Sequence, residues 1–167
     1  MEKSNALNIL KNAFLMERQG KTLYETARDK AEDEAVKSFF DSLARDEQEH
    51  MAILETQFKS IMKSGKFAAG GYETDGAAET PPDILDKNLK DKINAAGFEA
   101  TAITAAVGFE QKAVDLYGER AETATDPEEK KLYQWLSTWE QTHLKKLLAL
   151  QEDLQQQIWD DNSFWPF

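Results

Sequence analysis

Displaced by 93 positions, the first half of this chain falls on the second, and that internal repeat limits the fold more than any other feature. Leu23-Tyr24 lands on Leu116-Tyr117, Asp33 on Asp126, Phe40 on Tyr133, Leu43 on Leu136 and Leu54 on Leu147. The same shift carries Glu17 onto Glu110, Glu47-Gln48 onto Glu140-Gln141, and His50 onto His143. Within each copy the apolar residues recur at steps of three and four, the helical period, without strand-like alternation. A helix pair alone leaves its apolar stripe in water, whereas two pairs bury each other's. The pattern therefore predicts an all-α four-helix bundle built from two pseudo-symmetric helical hairpins joined by one long crossover.

The hairpins are expected at 4–63 and 99–158, with helices over 4–30, 34–63, 99–124 and 127–158. Asp126-Pro127-Glu128 is a strong helix start, with a capping acid, proline at the first helical position and an acid in the first turn. Asp33-Glu34 repeats part of it. Between the hairpins, 64–98 forms the crossover, with a shorter helix near 83–96. Its glycine- and proline-rich part, 64–82, holds Gly70-Gly71, Gly76 and Pro81-Pro82, carries no phosphate-loop signature and reads as a linker. The 167 residues are expected to form one domain.

Composition narrows the function. The absence of cysteine rules out disulfide scaffolds, thiolate zinc sites, iron–sulfur clusters and a cysteine nucleophile. No apolar run reaches the roughly 20 residues that span a bilayer, and residues 1–20 are too charged for a secretory leader, so the expected location is cytoplasmic, away from membranes. A net charge of −11 repels phosphate backbones and argues against nucleic acid as a partner.

The stripe facing the core of each helix carries an ionisable residue in its middle. The first runs through Phe14, Glu17, Gly20 and Tyr24; the second through Phe39, Leu43, Glu47, His50 and Leu54. The third runs through Ala106, Glu110, Ala113 and Tyr117, and the fourth through Leu136, Glu140, His143 and Leu147. Four carboxylates and two imidazoles thus point inward at one level, with nothing basic on the stripes to neutralise them. Burying such ions without partners costs several kcal/mol of hydration each. Two divalent cations balance the four negative charges. Glu-x-x-His sets two ligands on one helical face, about 5–6 Å apart at Cβ. One such motif arises easily by chance in an acidic helical chain. Two in register, using the only two histidines and aligned with two further glutamates, do not. Oxygen-rich ligation with one imidazole per metal favours iron or manganese over structural zinc.

One Glu from each of two helices and Glu-x-x-His from each of the other two is the ligand pattern of the ferritin-like di-iron bundles. On that pattern Glu17 and Glu110 are terminal ligands, Glu47 and Glu140 bridge, and His50 and His143 each complete one metal's shell. More closely, Ile9 to Glu17, Leu23-Tyr24 and Asp46-Glu47-Gln48-Glu49-His50 resemble the rubrerythrin-related branch, as do Ala106 to Glu110, Leu116-Tyr117 and Trp139-Glu140-Gln141-Thr142-His143. The resemblance covers about 4–155. It implies two iron ions, with manganese or zinc as substitutes, redox chemistry on peroxide or dioxygen, and in some relatives exchange of helix pairs between protomers, so a homodimer is expected. Rubrerythrin itself carries a rubredoxin domain; with no cysteine here, electrons are expected from a separate donor protein. Rubrerythrin's additional glutamate one turn after the third-helix ligand is Ala113 here, mirrored by Gly20, which predicts a plain four-Glu, two-His site.

These features support a di-iron oxidoreductase reducing hydrogen peroxide or dioxygen. The alternatives are an iron-handling protein that oxidises Fe(II) for storage or delivery, and a bundle with structural metals. Gly20 and Ala113 either leave space beside the metals or let helices pack closely. Tyr24 and Tyr117, two turns beyond a ligand glutamate, either orient a ligand carboxylate or are amphipathic core residues. Trp135 and Trp139 either relay electrons or pack. The tail 159–167, with Phe164, Trp165 and Phe167, is expected to dock on the bundle or on a second subunit.

Overall fold

Asp33 and Asp126, equivalent under the repeat, start the second helix of each hairpin in the same way. The Asp33 carboxylate accepts from the Ala35 N–H at 2.7 Å, and that of Asp126 from Glu128 N–H at 2.8 Å and Glu129 N–H at 3.2 Å. Each cap satisfies amide groups that a helix start leaves without partners. In the computed structural model, which describes residues 3–71, 87–93 and 97–161, the helices are α1 (Lys3–Lys30), α2 (Glu34–Ser64), α3 (Lys87–Lys90), α4 (Phe98–Thr123) and α5 (Pro127–Asp161). Helix α2 ends at Gly65, whose left-handed backbone (φ 72°) returns its N–H to the Ile61 carbonyl. Without a Cβ that conformation is unstrained.

The four long helices form a ferritin-like four-helix bundle whose apolar core lies in two layers. One layer joins the end of α1 (Tyr24, Ala27) and the start of α2 (Val36, Phe40, Leu43) to the start of α4 (Ala102, Ile103, Ala106) and the end of α5 (Leu147, Leu150, Leu154). The other joins Leu10 and Ala13, Leu54 and Ile61, Ala113 and Tyr117, and Leu132, Tyr133 and Leu136. Helix α1 is therefore antiparallel to α4, and the crossover must run the length of the bundle. It leaves one layer at Phe67 and arrives at the other, where Leu89 and Ile93 are buried.

The crossover differs from expectation. Of the helix expected near 83–96, the described residues show α3 and then, after Lys90, turns whose bonds run from Lys92 N–H to Leu89 O and from Ile93 N–H to Lys90 O. Tertiary anchors hold it: Leu89 and Ile93 in the core, Lys90 paired with Asp153, and Gln157 donating to the Lys90 carbonyl. Gly76, Pro81-Pro82, 83–86 and 94–96 lie outside the described residues, as do 162–167 with the aromatics Phe164, Trp165 and Phe167. Helix α5 continues past its expected end at 158, through Trp159 to Asp161. On α2 the fully buried ring is Phe40, while Phe39 is partly buried and packs edge-on against it at 5.3 Å. The two are adjacent in sequence, and helical rotation brings only one to the centre.

Candidate metal centre

Between the two apolar layers lies a slab of polar side chains. Glu17, Glu47, His50, Glu110, Glu140 and His143 are all essentially inaccessible to solvent. The inner stripes put them there: each residue continues an apolar row by a step of three or four, so rotating a glutamate outward would also expose a Leu or Tyr.

The six divide into two groups whose ligand atoms could each hold one ion: Glu17, Glu47, His50 and Glu140; and Glu47, Glu110, Glu140 and His143. Glu47 and Glu140 belong to both, each turning one oxygen to either group. His50 Nδ1 lies 3.1 Å from Glu17 Oε2, 3.3 Å from Glu47 Oε2 and 3.0 Å from Glu140 Oε1. His143 Nδ1 lies 3.6 Å from Glu47 Oε1, 3.7 Å from Glu110 Oε1 and 3.3 Å from Glu140 Oε2. Glu47 and Glu140 thus lie between the two groups, with Glu17 and Glu110 each in one.

Electrostatics show how unfavourable this slab is without cations. Burial pushes the Glu47 carboxyl well above the usual carboxylate range, and the charge of Glu140 adds to it. Burial likewise lifts Glu110, to about 8. Burial also opposes ionisation of Glu140, but the positive charges of His50 and His143 close beside it outweigh it and hold this carboxyl below its ordinary value. Both imidazoles lose hydration on burial, yet are held well above the ordinary histidine range, His50 by Glu140, Glu17 and Glu47, and His143 by Asp46, Glu110 and Glu140. In the metal-free protein, protons do the balancing. Even so, both oxygens of Glu47 and of Glu140, Glu110 Oε2 and His143 Nδ1 are buried with no hydrogen-bond partner among the described residues. Buried polar atoms are rarely left so. Six ligand-type side chains, five of them with at least one unpartnered polar atom, fit two divalent cations.

The tyrosine hydroxyls reach across the bundle rather than along their own helices. Tyr117 donates to Glu17, and Tyr24 to Glu110. Burial and the facing carboxylates push both phenols well above their ordinary value, so they stay donors. The space at Gly20 is filled: a Cβ there would stand 2.6 Å from Phe109 Cε1, so this glycine serves the close approach of α1 and α4. Trp135 and Trp139 pack edge-on against His50, with ring centroids at 5.5 and 5.6 Å, and against each other at 5.9 Å.

Two contacts of this region escape a sequence reading. Asp46 Oδ2 lies 3.1 Å from His143 Nε2, on the side of the ring away from the cluster. Glu129 is a buried acid at one pole, bonded by Arg120 Nη2 at 3.0 Å. Asp46 directly precedes a ligand, but its repeat partner is Trp139, so the repeat hides it. Glu129 extends the α5 stripe one turn, through Leu132 to Leu136, and that spacing was its only signal.

The arrangement agrees with comparisons to known proteins. One solved structure with the same fold is a two-domain protein from Anabaena variabilis containing DJ-1/ThiJ/PfpI-like and ferritin-like domains. It is 18% identical with a TM-score of 0.64; the alignment covers 91% of this chain and 40% of that one. No curated protein gives a significant match. No helix among the described residues is long and apolar enough to cross a membrane. The sequence profile of the Rubrerythrin family matches residues 8–151, so the chain belongs to the Rubrerythrin family.

Proposed function

We propose that this protein is a di-iron oxidoreductase that reduces hydrogen peroxide at the Glu17–Glu47–His50–Glu110–Glu140–His143 cluster, using electrons from a separate donor protein. The observation that carries the reading is the pair of buried ligand groups sharing Glu47 and Glu140. Two shared carboxylates would hold two cations side by side, an arrangement suited to a two-electron reaction on one small molecule. Two ferrous ions held there would supply two electrons, which with two protons convert one hydrogen peroxide to two waters.

The remaining work belongs to the chain. Glu17 with His50, and Glu110 with His143, would complete the two coordination sets. Tyr117 and Tyr24 fix the terminal carboxylates by donating to Glu17 and Glu110, so those ligands need not reorganise when charge changes. The two apolar layers exclude water and strengthen every interaction within the slab. With no cysteine among its 167 residues, the chain cannot build a thiolate-bound iron to re-reduce the site. We place the protein in the cytoplasm, as a homodimer.

Stopped-flow mixing of the anaerobic, iron(II)-loaded protein with hydrogen peroxide and, separately, with dioxygen tests the proposal. Fast oxidation by one peroxide per two irons is expected. Continued uptake of many irons per chain would instead indicate storage, and inertness to both oxidants would indicate structural metals.

A further inference from the structure

The repeat is broken beside the site itself. Asp46 on α2 approaches His143 Nε2 at 3.1 Å. Its repeat partner, the residue placed to do the same for His50, is Trp139. His50 Nε2 is buried and has no hydrogen-bond partner among the described residues; the Trp135 and Trp139 rings stand edge-on against the imidazole. The other supports are matched: each histidine sits three residues after a shared glutamate, and each terminal glutamate receives one tyrosine hydroxyl.

From this broken symmetry we propose that the two metal positions are unequal: the one framed by Glu110 and His143 binds tightly and fills first, and the one framed by Glu17 and His50 is exchangeable. The inference rests on the reading of the cluster as a dinuclear metal site but not on its reaction with peroxide. A carboxylate on the far nitrogen of a ligating imidazole fixes the ring's orientation and the tautomer that leaves the near nitrogen free for the metal, and it raises that nitrogen's basicity. Asp46 does this for His143, a positioning role. The near nitrogens differ to match. His143 Nδ1 has no hydrogen-bond partner among the described residues, ready to receive a cation, whereas His50 Nδ1 is already engaged by Glu17 at 3.1 Å. Filling the His50 position must break that bond, and the indole rings put no acceptor behind the ring to compensate.

The test titrates metal-free, full-length protein, labelled with nitrogen-15 in histidine, with zinc(II). Step affinities come from calorimetry, and the two imidazoles are followed separately by NMR, assigned with a His50→Gln variant. The His143 signals should change during the first equivalent and those of His50 during the second, with step affinities at least about tenfold apart. Asp46→Ala should weaken the first step about 10–100-fold and remove the order. Trp139→Asp, which supplies the carboxylate His50 lacks, should tighten the second step and narrow the gap between the two. Simultaneous change of both rings in the unaltered protein, or an order indifferent to Asp46→Ala and Trp139→Asp, overturns the inequality while leaving a dinuclear site standing. Failure to bind zinc at either position overturns the site reading and this inference with it.

Discussion

The two poles of the bundle have the same ancestry in the repeat and different chemistry. At one, Tyr24 stacks on Phe40 at 6.5 Å, with Ala27 and Val36 buried beside them. At the other, Tyr117 stacks on Tyr133 at 5.9 Å, and the positions of Ala27 and Val36 are taken by Arg120 and the buried Glu129. Burial, with the charge of Glu129 adding to it, holds the Tyr133 phenol well above its ordinary value. Six inward ionisable residues and two tyrosines match across the repeat, while the packing two turns away does not. Symmetry is kept in the six inward residues and the two tyrosines that reach them, and lost at Asp46 beside them and at the poles, which need only exclude water. A buried ion pair adds little net stability over an apolar replacement, so the polar pole is no better secured than the apolar one.

The sharpest way to test the central symmetry is to separate shared from terminal ligands. Glu140→Ala or Glu47→Ala should abolish binding of two metals, whereas Glu110→Ala or Glu17→Ala should remove one metal and leave the other; metal analysis per chain reads the difference. Equal losses from all four variants would break the assignment of shared and terminal roles.

Next in size is the effect of pH on the metal-free protein. Glu110 titrates at about 8 when folded, against about 4.3 for an unfolded glutamate, so between these values the native state holds a proton that the unfolded state lacks. Stability should therefore fall as pH rises through that window. The two histidines, also raised, act in the same direction: their stabilisation is complete below about pH 6.5 and is lost as pH climbs through their folded values. Metal should abolish the decline, since cations displace these protons and bind more tightly as pH rises. Calorimetric melting temperatures between about pH 5 and pH 9, with and without chelator, measure both arms; equal slopes would contradict the account.

A smaller contrast lies between Gly20 and its counterpart Ala113. Gly20→Ala sets a methyl group against Phe109 and should cost about 1–3 kcal/mol by overpacking. Ala113→Gly should cost about 0.5–1 kcal/mol, the ordinary helix-interior penalty. Denaturant unfolding distinguishes them. Smallest of all, copying the apolar pole onto the polar one (Arg120→Ala, Glu129→Val and Tyr133→Phe together) should leave stability unchanged or slightly raised. A large loss would show that Arg120 and Glu129 secure that end of the bundle.

Most of this was legible in the sequence because it rests on periodicity. Helical spacing fixes which face of each helix turns inward, and the repeat fixes which residues share a level, so four helices and six inward ionisable residues followed together. Elements set by tertiary contact were not legible. Leu89 and Ile93 are anchored in the core where α3 gives way to turns after Lys90, and Phe39 and Phe40 differ only by a rotation that packing decides. Asp46 was hidden for another reason: its role exists in one half alone, and a search by symmetry finds only what is doubled.

The most direct measurement is a crystal of the iron-loaded protein with anomalous scattering recorded at the iron edge. The account predicts two peaks per chain, one among Glu17, Glu47, His50 and Glu140 and the other among Glu47, Glu110, Glu140 and His143. A single peak, none, or peaks elsewhere with these glutamates turned outward into solvent would contradict it.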